Sequence, residues 1–140
     1  MTPLLRDGDI LLVKPADPDV ICVSDVVLCR KSSSFVVVHR VVQKRSTLQG
    51  ISFLIQGDQK QESDGWIPKE QILGQVIEIH RSNHCLDMHH PVMRLLGILA
   101  VLRSRFGIGR KGLPVRLNQA IRKLPIFYWY LFQEDSLDTK

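Results

Sequence analysis

Long apolar runs are missing from this chain: no stretch approaches the ~20 consecutive apolar residues that a membrane-spanning helix needs. A charged-then-apolar leader is missing too, so the sequence as written predicts neither a signal peptide nor an N-terminal anchor, and a membrane-associated or cytoplasmic protein. Cysteine is scarce. Its three residues, Cys22, Cys29 and Cys85, are odd in number and irregular in spacing, which excludes a disulfide framework and leaves buried or free thiols. There is no internal repeat and no low-complexity tract, so repeat architectures are set aside. One segment lacks acid altogether: residues 88–133 hold eight Lys and Arg and no Asp or Glu, whereas residues 1–87 hold ten basic and eleven acidic residues. The formal net charge of +5 therefore belongs to one segment of the chain.

What is present is enough for one domain with an appendage. The 140 residues are 44% hydrophobic and 24% charged, ordinary values for a chain that buries a core. Through about residue 80 the pattern is of strands: Ile10–Lys14, Asp25–Lys31, Phe35–Lys44, Ser52–Gln56 and Leu73–His80 are apolar or β-branched runs divided by turn-formers. Lys31-Ser32-Ser33-Ser34 reads as the tip of a hairpin joining DVVLCR to FVVVHRVV, and GDQKQESDG (57–65) as a polar loop too long for a tight turn. Closely spaced strands with almost no helical pattern predict a mainly β fold, a small coiled-sheet or barrel-like domain.

After His80 the period changes. Leu95, Ile98/Leu99, Leu102 and Phe106 recur at helical spacing, with Pro91 suited to a first helical turn, and Leu117, Ala120/Ile121 and Leu124 form a weaker second stripe. The expected organisation is a β domain over 1–82, a linker over 83–90, a basic amphipathic helical segment over 91–133 and a tail over 134–140.

Two pieces carry chemistry. In a strand FVVVHRVV, the residues Phe35, Val37, His39 and Val41 share one face, which fixes an imidazole among apolar neighbours. A lone histidine so placed is ordinarily satisfied by a backbone carbonyl. The second piece is the loop GDQKQESDG, where Asp58 and Asp64 stand six apart directly after a strand, and one carboxylate there can accept the imidazole N–H and set its tautomer. Read blandly, the same loop is solvated turn chemistry.

The order PLLRDGDILLV, SDVV, VHRVV, FLIQGDQKQESDGW and ILGQVIEI resembles the type I signal peptidase family, specifically the archaeal and endoplasmic-reticulum branch in which histidine replaces the lysine base. The related LexA-type peptidases resemble it in fold but use lysine. The resemblance covers roughly residues 1–80. It implies a serine endopeptidase acting on extended peptide or pre-protein segments with small side chains before the cleaved bond. His39 matches the general base, Asp64 the aspartate that orients it, and Asp58 the supporting acid of the loop. Met1, Thr2 and Pro3 match a Met-x-Pro motif, so Met1 and Pro3 fall in the substrate groove.

The family pattern then places the nucleophilic serine immediately before Met1. The expectation is that the protein begins upstream; the competing expectation is a non-catalytic relative that binds extended peptides in the same groove. Ser32, Ser33 and Ser34 lie too far along the strand to substitute. Thr2, as an N-terminal threonine, would be displaced by ~6–7 Å along the strand and is constrained by Pro3. The chain also departs from the family where Ser24 replaces the usual glycine before Asp25, and where Gln59 and Lys60 replace asparagines.

Residues 91–132 combine apolar stripes, positive charge and the aromatic run Tyr128-Trp129-Tyr130, which suits either a membrane interface or packing onto the β domain. Nucleic acid fits less well, because the basic residues show no aromatic interleaving or helix-turn-helix pattern. His84-Cys85-Leu86-Asp87-Met88-His89-His90 lacks the paired spacing of structural zinc sites and reads as solvated linker. No metal or organic cofactor is implied.

Overall fold

Val and Ile crowd the first eighty residues, and their β-branched side chains settle into strands. A computed structural model of the protein describes residues 4–32, 35–48, 50–58, 62–82 and 84–105, the side chain of Arg103 apart. The strands are β1 (Ile10–Lys14), β2 (Val26–Ser32), β3 (Phe35–Thr47), β4 (Gly50–Gln56), β5 (Gly65–Pro68), β6 (Ile72–Arg81) and β7 (His84–Asp87). Among the described residues a single α-helix, α1, follows over Pro91–Arg105. Met1, Thr2, Pro3, Ser33, Ser34, Gln59, Lys60 and everything from Phe106 onward, including the second helical stripe and the aromatic run, lie outside the described residues.

The fold is mainly β. Seven strands form a single antiparallel sheet in the order β1-β6-β2-β3-β4-β5, with β7 also paired to β6. β6 organises it: Gln75 pairs with Lys14 on one side and Val27 on the other, and further along Glu78 pairs with Leu12 and Asp87. Gly74 lets β1 close on it, since a Cβ there would stand 2.6 Å from the Lys14 carbonyl oxygen and 2.7 Å from Val13 Cγ1. The sheet is not closed, which corrects the barrel-like expectation. β1 and β5 are its ends, and β5 finishes at Pro68, which has no N–H to offer a further strand.

Ile21, Val27, Cys29, Val41, Phe53, Ile55 and Ile67 form the buried cluster on one face. Lys44 seals its edge by donating to the carbonyls of Pro18, Asp19 and Ile21 at 3.1, 2.8 and 3.0 Å. The residues read as linker, 83–90, contain β7, whose Leu86 is buried opposite Ile79. Their last residue, His90, directly precedes α1, and its ring accepts the Val92 N–H at 3.4 Å.

Helix α1 packs through Met93, Gly97 and Val101, which are buried. Gly97 sets the distance, because a Cβ there would meet Arg40 Nη1 at 3.0 Å and Ser24 Cβ at 3.2 Å. The stripe that marked the helix in the sequence, Leu95, Ile98, Leu99 and Leu102, is exposed. No described helix is long and apolar enough to cross a membrane.

Candidate functional site

Successive residues of a strand point to opposite faces, so β3 sends His39 and Arg40 to different sides of the sheet. His39 lies between Val41, a member of the buried cluster, and Val37, which packs against that cluster. Its Nε2 stands 2.9 Å from Asp64 Oδ2, and its Nδ1 stands 2.6 Å from the carbonyl oxygen of Val38.

Asp64 is almost wholly buried and held by its backbone: its N–H donates to the Ile55 carbonyl at 2.8 Å, extending the β4–β5 pairing by one residue. Its other carboxylate oxygen accepts from Lys31 Nζ at 2.8 Å. Lys31 is the functional-looking residue that the sequence reading missed. It stands near the end of β2, 33 positions before Asp64, and the successive β2–β3, β3–β4 and β4–β5 pairings bring the two together.

A neutral imidazole has one N–H, and both ring nitrogens of His39 face acceptors. The ring therefore stands between a carboxylate and a backbone carbonyl, and either nitrogen can carry the single N–H. Such an aspartate sets the ring's orientation and stabilises the cation that forms when the ring takes up a proton. Cys29, buried on β2, is not a rival nucleophile. Burial, then the negative charge of Asp64, push its thiol up to about 11, so it stays protonated at neutral pH.

Asp58 is brought to the other side of β3. It receives two hydrogen bonds from Arg40, Nε to Oδ1 at 2.8 Å and Nη2 to Oδ2 at 2.7 Å, while Arg40 Nη1 donates to the Ser24 carbonyl at 2.8 Å. Asp58 is thus a clamp on the loop that carries Asp64, two residues from the end of β4, and it is held by Arg40 rather than by His39. Ser24 sits at φ +84°, a left-handed conformation that costs an L-residue roughly 1–2 kcal/mol and explains why glycine suits this position.

Where the chain enters the fold, Arg81 donates to both oxygens of Asp9 at 2.8 and 2.7 Å and to the Leu4 carbonyl at 2.9 Å. The hydrogen bonds from Arg81 hold the Asp9 carboxyl below its usual range against the opposing effect of burial. This anchors residues 4–9 directly after Met1 and Pro3, which themselves lie outside the described residues. A cavity of about 240 Å³ opens between Gln56, Ser63 and Ser104, and neither His39 nor Asp64 lines it. Among the described residues no hydroxyl hydrogen-bonds His39, whose partners are Asp64 and Val38.

No protein-family model, no curated protein and no solved structure matches this chain.

Proposed function

We propose that the chain carries a signal-peptidase-like serine endopeptidase domain of the histidine-base type, acting on extended peptide or pre-protein segments with small side chains before the cleaved bond. The observation that supports it best is the 2.9 Å contact between His39 and the buried Asp64. In this reading His39 takes the nucleophile's hydroxyl proton and later gives it to the leaving amine, while Asp64 steadies the imidazolium. The ring nitrogen now on Val38 is the one that exchanges its partner for the hydroxyl. By resemblance that hydroxyl belongs to a serine directly before Met1, and Met1 and Pro3 line the groove. Lys31 occupies the second oxygen of Asp64 and holds the carboxylate in place. Acyl transfer of this kind calls for no metal or organic cofactor.

A second reading is a non-catalytic peptide-binding module, favoured by the contact of both His39 nitrogens with groups inside the protein. In either case the exposed Leu95, Ile98, Leu99 and Leu102 of α1 fit a membrane surface as partner for residues 91–132, next to the basic charge there.

The deciding experiment uses the protein isolated from its source at native length, assayed on fluorogenic peptides with alanine before the scissile bond. Hydrolysis that is lost in His39→Ala supports the peptidase. Peptide binding without hydrolysis, unchanged in His39→Ala, rejects it in favour of the binding module.

A further inference from the structure

On the far side of the sheet from β5, the β6–β7 hairpin gathers three donor atoms of different chemistry. His80 and Cys85 are directly opposite one another in register, and Glu78 is two residues along β6 on the same side. His80 Nε2 lies 2.9 Å from Glu78 Oε2, Cys85 Sγ lies 3.5 Å from the same oxygen, and Cys85 Sγ lies 3.9 Å from His80 Nε2. A tetrahedral ion with bonds of about 2.0 Å to nitrogen and oxygen and about 2.3 Å to sulfur requires ligand–ligand edges of roughly 3.3 to 3.6 Å. The three observed edges straddle that range, so adjustments of a few tenths of an ångström would close the triangle on an ion.

The surroundings fit the same purpose. Asp87 pairs with Glu78 in register and adds a second carboxylate, its Oδ1 held by the His89 N–H at 2.7 Å. On the opposite side of β6, Ile10 and Leu12 are the register partners of His80 and Glu78, and both are exposed. A sheet face that sets a thiol, an imidazole and a carboxylate together beside exposed isoleucine and leucine has the donor set and apolar rim of a soft-cation site.

We propose that Glu78, His80 and Cys85 bind a divalent cation of the zinc class, with one position open to water. Binding expels the Cys85 thiol proton to solvent and leaves a thiolate, an imidazole and a carboxylate on the ion. Three protein ligands with one open position is the arrangement of zinc sites that bind or activate a further molecule, whereas closed structural sites use four. The site is independent of the His39 centre and of its proposed chemistry. Of the linker's cysteine and histidines only Cys85 takes part, and its partners come from β6, which is why spacing within residues 84–90 does not disclose it.

The test uses the full chain, reduced and stripped with a chelator, then titrated with Co²⁺ and back-titrated with Zn²⁺. The expected result is one Co²⁺ per chain, with a near-ultraviolet thiolate-to-cobalt band and visible bands of tetrahedral intensity, all displaced by Zn²⁺. Cys85→Ser should abolish the thiolate band, and His80→Ala and Glu78→Gln should each weaken binding by about tenfold or more. Cys22→Ser, and His84→Ala, His89→Ala and His90→Ala combined, should leave it unchanged. Circular dichroism of each variant establishes that the fold persists. Absence of the thiolate band in the parent chain, its survival in Cys85→Ser, its loss in Cys22→Ser or the triple-histidine variant, or one ion per two chains overturns the proposal.

Discussion

Two histidine–carboxylate pairs in this protein have the same 2.9 Å separation and little else in common. His39 and Asp64 are 14% and 4% exposed, whereas His80 and Glu78 are 46% and 36% exposed. The first pair is assembled from different strands: β3 supplies the imidazole, the entry to β5 the carboxylate, and β2 sends Lys31 to the remaining oxygen. The second is local, two residues of β6 on one face, with Cys85 added from the neighbouring strand. In water-rich surroundings an ion pair is weak, and in an enclosed one the cost of desolvation is recovered only by fixed geometry. Equal distances therefore describe different objects. The enclosed pair offers a fixed geometry, and the open pair offers donor atoms that an ion from solution can reach.

The sharpest way to break this distinction is Asp64→Asn. The change keeps the shape, removes the charge that His39 and Lys31 share, and lets the ring settle in the wrong tautomer. In the peptidase reading, turnover should fall by roughly 10³–10⁴-fold with KM little altered, by steady-state kinetics on the native-length protein. A loss under tenfold would mean that Asp64 is a structural acid and that the enclosed pair has no chemical privilege.

Arg40→Met comes next, and it separates scaffold from chemistry on adjacent residues of one strand. It removes three hydrogen bonds and leaves Asp58 and the Ser24 carbonyl without that donor. Because Asp58 keeps some solvent, the cost should lie near the lower end for a broken buried pair, about 3 kcal/mol, measured by urea unfolding. Turnover per folded molecule should fall far less than in Asp64→Asn. If the two variants lose turnover equally while Arg40→Met remains stable, the division of labour between the faces of β3 is wrong.

Much of this arrangement was legible beforehand and the reasons for the rest are physical. β1 was read with its observed bounds, Ile10–Lys14, because an apolar run between turn-formers has one economical conformation. β5 and β7 were not read. Each has four residues, and GWIP and HCLD owe their extended form to backbone pairing with β4 and β6, which no periodicity records. The helix was read from Leu95, Ile98/Leu99 and Leu102, yet the packed face is Met93, Gly97 and Val101. A glycine carries no hydrophobic signal, although its missing side chain is what lets the helix approach Arg40 and Ser24. His39, Asp58 and Asp64 were named from motif order. Their division between two faces follows from the alternation of His39 and Arg40, whereas Lys31 and the Cys85 cluster depend on strand register and were out of reach of a one-dimensional reading.

The smallest expected effect tests the open pair directly. A double-mutant cycle of His80→Ala and Glu78→Gln, run in chelator so that no cation contributes, should give a coupling energy below about 1 kcal/mol. It should shrink further in about 1 M salt, where charges are screened within about 3 Å. Both side chains are long or ring-bearing and solvent-facing, so ordering them costs side-chain entropy that offsets most of the Coulomb gain. Repeating the cycle with Zn²⁺ present should raise the coupling, because the ion binds the two residues jointly and each then depends on the other for its affinity. A coupling in chelator that exceeds about 1 kcal/mol and survives salt would show that exposure is not what separates this pair from His39 and Asp64. The geometry of the hairpin would then be a stability device rather than an empty cation site.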